Sequence, residues 1–462
     1  MTTTAIILAA GKGTRMRSSL PKVLHPVCGR PMIFHVVDQL RLAGAKRIVV
    51  VVDHLKSEVA QRLTAEFGSK VIGFAVQKEA LGTGDAAKRG VKELKGERGR
   101  VWIVPGDVPL IRAETLKKLQ RASKRAVVGL LTTLLDEPDG YGRIVRRGNR
   151  VDSIIEHRDA SSEQRAIKEV NVGIYDVELA FLRKTLSKLK RDNAQGEFYL
   201  TDIVAAGADH GVGTHCVADN TECRGANDRV QLAELDALLR ERIIVEHQRA
   251  GVTFELPGSV VIEASVQLSQ DVVVGAGVQL RGKTSVEENV TIEGPSVLID
   301  ATLESDVKVR SFSHLENVLV GAAAEVGPYA RLRPGTVLEP STKVGNFVEL
   351  KNTKLGQLSK VNHLAYVGDS NIGVSANIGA GTITCNYDGA QKHKTVVGDG
   401  AFVGSNSTLV APLEIGNGAY VAAGSTITQD VSSDALAFGR SRQSERTDYA
   451  KALRAKLKKD QK

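Results

Sequence analysis

The sequence predicts a Rossmann-like α/β domain joined by one helix to a left-handed parallel β-helix. Three observations carry this prediction. Residues 1–227 alternate strand-like and helix-like stretches, residues 228–250 keep an uninterrupted helical pattern, and residues 251–438 repeat an aliphatic residue every six positions. A basic segment, residues 439–462, follows. We therefore expect the 462 residues to form two domains, a connecting helix and a tail.

The first domain is predicted from runs of two kinds. Apolar runs rich in valine and isoleucine indicate strands, and apolar residues three or four positions apart indicate helices. Gly44 and Gly68 each follow a helical stretch, where glycine favours a helix C-terminus. The predicted strands are residues 5–10, 47–52, 71–76 and 101–104, and the predicted helices are residues 31–43 and 55–67. This alternation predicts a mostly parallel sheet with helices on both faces and ligands at the carboxyl ends of its strands.

One longer helix is predicted over residues 228–250, and Gly251 ends it. Its apolar face consists of four leucines and one isoleucine, namely Leu232, Leu235, Leu238, Leu239 and Ile243. Charged residues lie between them, so we expect an amphipathic helix that connects the two domains.

After Gly251 the apolar pattern has a period of six. Aliphatic residues recur from Ile262 and Leu268 through to Ile427, and many of them are followed by glycine. This hexapeptide repeat is the signature of a parallel β-helix, in which three short strands make one coil. Residues 385–396 interrupt the period and predict a projecting loop. Because the edges and faces of a solenoid need cover, we expect a homotrimer.

Composition excludes several classes of protein. Four cysteines without a CxxC pair indicate a reduced chain, and the longest apolar runs are far too short to span a membrane. The N-terminus lacks the basic and long apolar segments of a secretory signal. Much of the net charge of +9 lies after Gly439, without aromatic–basic stacking motifs. We therefore expect a cytoplasmic protein that binds anionic small molecules, and neither nucleic acid nor a membrane.

A glycine-rich loop, LAAGKGTRMRSSLPKVLH at residues 8–25, follows the first predicted strand. Such a loop favours a phosphate site, because glycine lets backbone N–H groups approach phosphate oxygens. In a P-loop the lysine follows the second glycine and is itself followed by serine or threonine. Here the lysine is instead followed by Gly13 and Thr14, so the loop is not a P-loop. It is not a dinucleotide fingerprint either, since Met16 replaces the third glycine.

The run GKGTRM at residues 11–16, followed by Pro21 and Lys22, resembles the signature of sugar-1-phosphate nucleotidyltransferases. In that chemistry a sugar-phosphate oxygen attacks the α-phosphorus of a nucleoside triphosphate, and pyrophosphate leaves. Arg15 would bind the leaving phosphates, and Lys22 would stabilise charge near the α-phosphate. Asp107 at a strand end suits Mg²⁺ as a hard oxygen ligand, with a turn-capping aspartate as the alternative.

The same resemblance implies further ligands. Asn227 would be a second Mg²⁺ ligand, with a cap of the connecting helix as the alternative. Four residues of the loop would contact substrate, three residues would read a uracil base, and three would hold the N-acetylated sugar. In that order they are Leu8, Ala9, Ala10 and Gly11; Gln77, Gly82 and Thr83; and Gly142, Glu156 and Asn171.

In the β-helix, the repeat places charged residues in one column. Leu332 and Leu350 are 18 residues apart and face inward on successive coils. Arg333 and Lys351 follow them and therefore stack outward, with Tyr366 on the next coil. Directly opposed like charges destabilise a purely structural ladder, so this pair favours a site for a sugar phosphate.

His363 lies two residues after inward-facing Val361, at the corner beside these cations. A histidine at such a place could be an ordinary surface residue. Hexapeptide β-helices often belong to acyl-CoA-dependent acyltransferases, but the fold alone does not prove an activity. Acyl transfer from a thioester to an amine needs a group of near-neutral pKa that removes a proton, and its charged neighbours make His363 the best candidate for this general base.

Several stretches of the β-helix resemble the bifunctional N-acetylglucosamine-1-phosphate uridyltransferase/glucosamine-1-phosphate N-acetyltransferase family. They are RLRPG (331–335), GNFVELK (345–351), KVNHLAYVGD (360–369), NIGAGTITCNYDG (377–389) and FVGS (402–405). The resemblance implies that Arg333 and Lys351 bind the sugar phosphate, and that acetyl-CoA lies between two subunits of a trimer. The residues that orient the sugar would be Tyr366, Asn377, Asn386 and Tyr387, and those at the acetyl-CoA site Ala380, Ser405, Ala423 and Arg440.

The resemblance therefore implies two reactions in sequence. The C-terminal half would acetylate glucosamine-1-phosphate with acetyl-CoA. The N-terminal half would couple N-acetylglucosamine-1-phosphate to UTP with Mg²⁺, releasing pyrophosphate and UDP-N-acetylglucosamine for cell-envelope polysaccharides. Two alternatives remain, namely a nucleotidyltransferase whose β-helix only assembles or regulates it, and a non-enzymatic exchange-factor subunit of translation initiation. The intact Arg15, Lys22 and Asp107 weigh against the second alternative.

Overall fold

The computed structural model describes residues 3–11, 13–54 and 57–459. The chain separates into two compact units, unit 1 (Met1–Ile243) and unit 2 (Ile244–Lys462). Their boundary falls inside the helix Arg229–Arg249. Within the described ranges, no helix is long and apolar enough to cross a membrane.

Unit 1 is built on a mixed β-sheet. Its central strand, Thr3–Leu8, pairs in parallel with Ala45–Val52 on one side and Arg100–Pro105 on the other. The strand Glu169–Glu178 runs antiparallel to Arg100–Pro105 and to Val128–Leu134. Seven of the sheet's nine described strands form one path, in the order Val212–Val217, Val128–Leu134, Glu169–Glu178, Arg100–Pro105, Thr3–Leu8, Ala45–Val52 and Ile72–Val76. The prediction of a mostly parallel sheet is confirmed, with Glu169–Glu178 as the strand that reverses direction.

Both faces of this sheet are covered. Successive residues Ile6 and Ile7 of the central strand are fully buried in two different apolar clusters, because neighbouring side chains in a strand point to opposite faces. The helices around the sheet are Met32–Ala43, Glu58–Phe67, Thr83–Lys92, Ala113–Ala122, Ser162–Arg165, Leu179–Leu186 and Asp202–Gly207. A hairpin of Arg143–Arg147 and Arg150–Ile155 pairs with the edge of Glu169–Glu178.

Two helix starts differ from the prediction. The helix expected from Pro31 begins one residue later, because Pro31 is extended with ψ at 137°, and Gly44 ends the helix at φ 109° as expected. The helix expected over residues 55–67 begins at Glu58, where the hydroxyl of Ser57 caps it. The first two residues of that range lie outside the described residues.

The predicted apolar face of the long helix is confirmed. Leu232, Leu235 and Leu239 are buried against Met16 and Val27, which lie in and just after the glycine-rich loop. Leu238 and Ile243 pack on the same cluster from its partly exposed side. The helix therefore supports the base of the loop through apolar contacts.

Unit 2 is a left-handed parallel β-helix whose described strands form three sheets, which we call faces 1, 2 and 3. Face 1 contains Thr253–Phe254, Val273–Val274, Thr291–Ile292, Lys308–Val309, Glu325–Val326, Lys343–Asn346, Lys360–His363, Asn377–Ile378, Phe402–Val403, Tyr420–Val421 and Leu436–Ala437. Face 2 contains Val261–Ile262, Gln279–Arg281, Val297–Ile299, His314–Glu316, Arg331–Leu332, Glu349–Lys351, Tyr366–Gly368, Ile383–Cys385, Thr408–Val410 and Thr426–Ile427. Face 3 contains Gln267–Leu268, Ser285–Val286, Thr302–Leu303, Leu319–Val320, Val337–Leu338, Lys354–Leu355, Ser370–Ile372, Thr395–Val397 and Leu413–Ile415.

The hexapeptide pattern corresponds to the interior of this β-helix. Leu298, Leu332 and Leu350 on face 2 are fully buried, and Leu332 pairs directly with Leu350 on the next coil. The residues between faces 2 and 3 near residue 390 form the predicted loop, which begins after Ile383–Cys385 and ends at Thr395–Val397. In the tail, the helix Tyr449–Lys459 has exposed side chains throughout its described part.

Candidate active sites

The glycine-rich loop of unit 1 begins at the carboxyl end of the central strand, after Leu8 and two residues earlier than predicted. Gly13 in this loop has a left-handed backbone with φ at 60°, and a Cβ there would lie 2.6 Å from the Cβ of Lys22. Glycine is therefore needed at this position, both for the backbone and for the close approach of Lys22.

Lys22 connects three distant segments of unit 1. Its Nζ lies 2.5 Å from Oδ2 of Asp107, just after the strand Arg100–Pro105, and donates to Oδ1 of Asn227 at 2.8 Å. The side chains of Lys22 and Asp107 are 15% and 21% exposed, so the pair is sheltered but open to a ligand. The two predicted metal ligands and the predicted catalytic lysine thus meet at one point.

This donor set fits a divalent metal. Asp107 offers a carboxylate and Asn227 an amide oxygen, which are hard donors of the kind that Mg²⁺ prefers. In the described part of the chain, no three His, Cys, Asp or Glu side chains cluster to form a larger metal site. Mg²⁺ often takes only one or two protein ligands, with water and substrate phosphates completing its shell.

A cavity of about 360 Å³ opens beside the glycine-rich loop. It brings together eight of the residues that the sequence predicted for substrate: Leu8, Ala10, Gly11, Gln77, Gly82, Thr83, Glu156 and Asn171. Gly142 adjoins its wall, since the Gly142 carbonyl accepts from the backbone N–H of Asn171 at 2.8 Å. Ala9 is instead tied to the sheet, because its N–H donates to the Val51 carbonyl at 3.0 Å.

Gln77 is held in one orientation at one end of this cavity. Its Nε2 donates to the carbonyl of Gly82 at 3.0 Å and to Oδ2 of Asp85 at 3.1 Å. Gly82 has φ at 100° and precedes the helix Thr83–Lys92. The fixed amide and the glycine carbonyl give this end of the cavity polar groups suited to a planar base.

Glu156 and Asn171 form the opposite end. Glu156 accepts from the hydroxyl of Thr201 at 3.2 Å, and burial raises the pKa of its carboxyl despite that hydrogen bond. Asn171 donates to the hydroxyl of Tyr175 at 2.8 Å and accepts from the N–H of Gly173 at 2.9 Å. Both side chains are thereby oriented before any ligand is bound.

The sequence analysis missed several residues that line this cavity, and those with polar side chains are Tyr175, Glu197 and Thr201. Tyr175 lies four residues after Asn171 on one strand, a spacing that strand alternation could have indicated. Glu197 and Thr201 come from a segment without a motif, so no sequence signal marks them. Arg15 is exposed on the short helical turn Thr14–Met16 and does not line the cavity.

On face 2 of unit 2, the register stacks Leu332 on Leu350 as predicted, and it pairs Glu349 with Tyr366 on the next coil. The adjoining cations are not an unbalanced pair, however. Arg333 forms an ion pair with Glu349 at 2.9 Å, and Lys351 forms one with Asp369 at 3.1 Å. Each cation therefore has its own carboxylate, which offsets the like-charge repulsion on which the sequence argument depended.

One corner of the β-helix carries the predicted base. Asn346 and His363 are the last residues of face 1 strands on successive coils and pair in register, and Nδ1 of His363 donates to Oδ1 of Asn346 at 2.8 Å. Face 1 pairs Val361, Ile378, Val403 and Val421 in turn, so the residues two positions further on form one column. That corner column is Asn346, His363, Ala380, Ser405 and Ala423. The predicted acetyl-CoA residues are thus continuous with the predicted base, and Arg440 lies exposed just beyond the last face 1 strand.

The remaining predicted residues lie around the loop after face 2. Asn386 is buried and donates to Asp369, whereas Tyr387 is 60% exposed and donates to the Gly389 carbonyl at 2.6 Å. Asn377 is half-buried and begins a face 1 strand. Lys392, which the sequence analysis missed, extends to Lys351, and hydrogen bonding to that ammonium with charge repulsion lowers the pKa of Lys392.

Comparisons with known proteins agree with both units. Residues 5–142 match the model of the MobA-like NTP transferase domain, and residues 394–429 match the bacterial transferase hexapeptide model. A protein named "Bifunctional protein GlmU" from Stutzerimonas stutzeri is 48% identical over 95% of this chain and 96% of its own length. Proteins of the same name from Brevibacillus brevis and Acinetobacter baylyi are 47% and 44% identical, over 98% and 99% of this chain and 98% and 100% of their own lengths. The chain therefore belongs to the family of bifunctional GlmU proteins.

Proposed function

We propose that the chain makes UDP-N-acetylglucosamine in two successive reactions, acetyl transfer in unit 2 and uridylyl transfer in unit 1. Family membership makes the chain a nucleotidyltransferase and an acetyltransferase. The observation that carries the assignment is Lys22, whose ammonium joins Asp107 and Asn227 beside the glycine-rich loop. The substrates and the residue roles below belong to this proposal.

The uridylyl step chiefly requires anions to be held in line. Backbone N–H groups of the loop after Ala9, at Ala10 and Gly11, bind the triphosphate of UTP together with Arg15. Asp107 and Asn227 bind Mg²⁺, which supplies charge neutralisation to the phosphates. Lys22 stabilises the charge that develops at the α-phosphate while the sugar-phosphate oxygen attacks phosphorus and the bond to pyrophosphate breaks.

Specificity in unit 1 comes from the two ends of the cavity. At the nucleotide end, Gln77, Gly82 and Thr83 recognise uracil with the amide that Asp85 holds in place. At the other end, Glu156 and Asn171 hold the N-acetylated sugar, with Gly142 allowing its close approach. Buried polar groups of this kind discriminate strongly, because the wrong ligand leaves them unpaired.

In unit 2 the base is His363. Because Nδ1 donates to Asn346, the neutral ring leaves Nε2 free to accept a proton. The amine nitrogen of glucosamine-1-phosphate attacks the thioester carbonyl carbon of acetyl-CoA, and His363 takes a proton from that nitrogen. The C–S bond then breaks, and the sulfur of coenzyme A leaves and takes up a proton.

The substrates of unit 2 occupy two adjoining regions. Arg333 and Lys351 bind the sugar phosphate. The sugar is oriented by Tyr366, Asn377, Asn386 and Tyr387. Acetyl-CoA lies along the corner column and the segment after it, against Ala380, Ser405, Ala423 and Arg440. The small side chains of that column leave room for the narrow pantetheine arm.

We further propose that unit 2 assembles as a homotrimer through an exposed apolar ladder. Phe312, Tyr329, Phe347 and Leu364 occupy equivalent corner positions on successive coils, and each is about half exposed or more. Ring centroids are 4.7 Å apart for Phe312 and Tyr329 and 5.3 Å apart for Tyr329 and Phe347. An apolar row of this length favours burial against another copy, and it ends beside His363.

The trimer is tested by light scattering on two variants of matched chemistry. Phe347→Asp should yield monomers with little acetyl transfer, whereas Leu358→Asp, an equally exposed corner residue outside the ladder, should remain trimeric. A Phe347→Asp variant that stays trimeric would remove the ladder from the interface.

The two reactions are tested by one assay on the whole protein, with glucosamine-1-phosphate, acetyl-CoA, UTP and Mg²⁺, omitting each in turn. Asp107→Asn should lose pyrophosphate release and keep acetyl transfer, and His363→Ala should do the reverse. If His363→Ala keeps full acetyl transfer, the base is assigned wrongly. If neither reaction occurs in the wild-type protein, a purely structural or exchange-factor role replaces the proposal.

A further inference from the structure

A second corner of the β-helix, where face 2 turns toward face 3, is occupied by residues with a left-handed backbone. Aspartate and asparagine tolerate this conformation better than other side chains with a Cβ. The aspartates and asparagines among the corner residues, with their φ angles, are Asp300 at 49°, Asn317 at 48°, Asn352 at 46° and Asp369 at 48°. Either aspartate or asparagine therefore fits the left-handed backbone of this corner.

Asp369 differs from the others in what surrounds its carboxylate. It is 8% exposed and accepts hydrogen bonds from three side chains on the coils before and after it. Lys351 donates from Nζ to Oδ2 at 3.1 Å, and Asn352 donates from Nδ2 to Oδ1 at 2.7 Å. Asn386 donates from Nδ2 to Oδ2, the same oxygen that Lys351 contacts.

These contacts join two parts of the acetyl-transfer site. Lys351 is the cation assigned to the phosphate, and Asn386 is the amide assigned to the sugar. They lie on different coils, and Asp369 is the group that touches both. Without it, two flexible or rotatable side chains would have to be ordered when the substrate binds, which costs affinity.

The charges around Asp369 support the same reading. Lys392 and Lys351 lie side by side, and Arg333 also acts on Lys392. Glu349 already pairs with Arg333, so Asp369 is the carboxylate that holds Lys351. Burial alone would raise the pKa of Asp369, but hydrogen bonds from Asn352, Asn386 and Lys351 lower it, so the group is a carboxylate at neutral pH.

We infer that Asp369 is a positioning residue of the acetyl-transfer site, which holds Lys351 and Asn386 in one arrangement before glucosamine-1-phosphate binds. This inference rests on the proposed function of unit 2. It assigns Asp369 no contact with the substrate, and its effect passes through the ammonium of Lys351 and the amide of Asn386. Preorganisation of this kind lowers the cost of binding and keeps the amine aligned with the thioester.

The test is Asp369→Asn, which keeps the shape of the side chain and removes its charge. Because asparagine occupies the same corner at Asn317 and Asn352, the variant should fold with an unchanged melting temperature. The KM for glucosamine-1-phosphate should rise about tenfold or more, as for other groups that orient a binding residue. The KM for acetyl-CoA and the uridylyl reaction should not change.

The matched control is Asp300→Asn, at the same corner of a coil distant in sequence, where the aspartate accepts from the backbone N–H of Lys283 at 2.7 Å. It should leave every kinetic constant unchanged. A double variant with Lys351→Ala should be less impaired than the sum of the two single variants, because Asp369 acts partly through Lys351.

Two results would overturn the inference. One is an unchanged KM for glucosamine-1-phosphate in Asp369→Asn. The other is a rise in the KM values for both substrates together with a lower melting temperature, which would indicate a structural role. Calorimetric titration with glucosamine-1-phosphate separates this inference from the proposed reaction. If the wild-type protein binds that ligand without acetylating it, the proposed reaction is wrong. A higher Kd for glucosamine-1-phosphate in Asp369→Asn would still support the positioning role.

Discussion

Lys22 shows how a single side chain can organise a site. Its ammonium touches a carboxylate from one strand end and an amide from the start of the long helix, 85 and 205 residues away in the chain (107 − 22 and 227 − 22). Because these three groups meet at the carboxyl end of the sheet, they can act together on one triphosphate. The motif around Lys22 was visible in the sequence, and Asp107 was predicted from its place at a strand end, whereas Asn227 was predicted as a metal ligand only from the family resemblance.

Glu156 leads to a prediction about pH. Burial raises the pKa of its carboxyl, so between its unfolded and folded pKa values the folded protein holds a proton that the unfolded chain has lost. Stability contributed by this group therefore falls as pH rises through that window. Glu156→Gln should be more stable than the wild type at pH 7, and the difference should vanish below the unfolded pKa.

The measurement is denaturant unfolding of unit 1 at pH 4 and pH 7, with Glu241→Gln, an exposed residue of the same unit, as the control. The KM for the sugar phosphate should rise about tenfold in Glu156→Gln, since a buried polar contact is altered. A Glu156→Gln variant that is less stable than the wild type at pH 7 would contradict the assignment of burial as the dominant effect.

At the scale of elements, the helix Thr83–Lys92 and its preceding turn form the end of the cavity that we propose binds the nucleotide. Gly82 starts the helix with φ at 100°, and a Cβ there would lie 2.6 Å from the carbonyl oxygen of Phe198 and 2.9 Å from the Cβ of Glu197. Glu197 lines the same cavity. The close approach of these two segments therefore sets the width of the site.

Gly82→Ala should accordingly impair the uridylyl reaction. The added methyl group pushes residues 197–198 away, and we expect kcat/KM for UTP to fall about tenfold or more, as displacement of about 1 Å can cost a hundredfold. Gly68→Ala is the matched control, because Gly68 also has a positive φ, of 78°, but open space around it.

Gly68→Ala should cost about 1–2 kcal/mol of stability through its backbone and leave both activities intact. Steady-state kinetics and thermal unfolding distinguish the two variants. Equal losses of uridylyl activity in both would show that backbone strain, and not contact with Phe198, is responsible.

At the scale of the whole molecule, the two units differ in how they are stabilised. Unit 1 depends on apolar clusters that join residues from many segments, whereas each coil of unit 2 contacts chiefly the coils next to it. Damage to one coil should therefore remain within unit 2. The activity of unit 1 serves as an independent measure of that separation.

Leu298→Ala tests this expectation. Leu298 is fully buried on face 2, and its truncation should cost about 2–5 kcal/mol, because it leaves a cavity. The calorimetric transition of unit 2 should move to lower temperature while uridylyl activity persists. Leu319→Ala, an outward-facing leucine that is 39% exposed, should change stability by only about 0.5 kcal/mol. Equal shifts of all transitions in Leu298→Ala would mean that the chain unfolds as one cooperative body.

The sequence by itself determined the β-helix, the long amphipathic helix and the character of the loop that contains Lys22. These features depend on local spacing: a period of six, a helical period, and glycines adjoining a strand. Such patterns can be read from the sequence without knowing which distant residues are in contact, because the direction of each side chain follows from the backbone period alone. The starts of two helices were wrong by one to three residues, since capping by Ser57 and the extended backbone of Pro31 decide them.

Only the tertiary structure decided which groups hold the site residues in place. Thr201 on Glu156, Tyr175 on Asn171 and Asp369 on Lys351 are such pairs, and the sequence analysis gave no role to the first member of any of them. It also paired Arg333 with Glu349 and so corrected the view of two unbalanced cations. The physical reason is that a hydrogen bond or an ion pair depends on distance and orientation, which packing and strand register determine only after residues far apart in the chain have met.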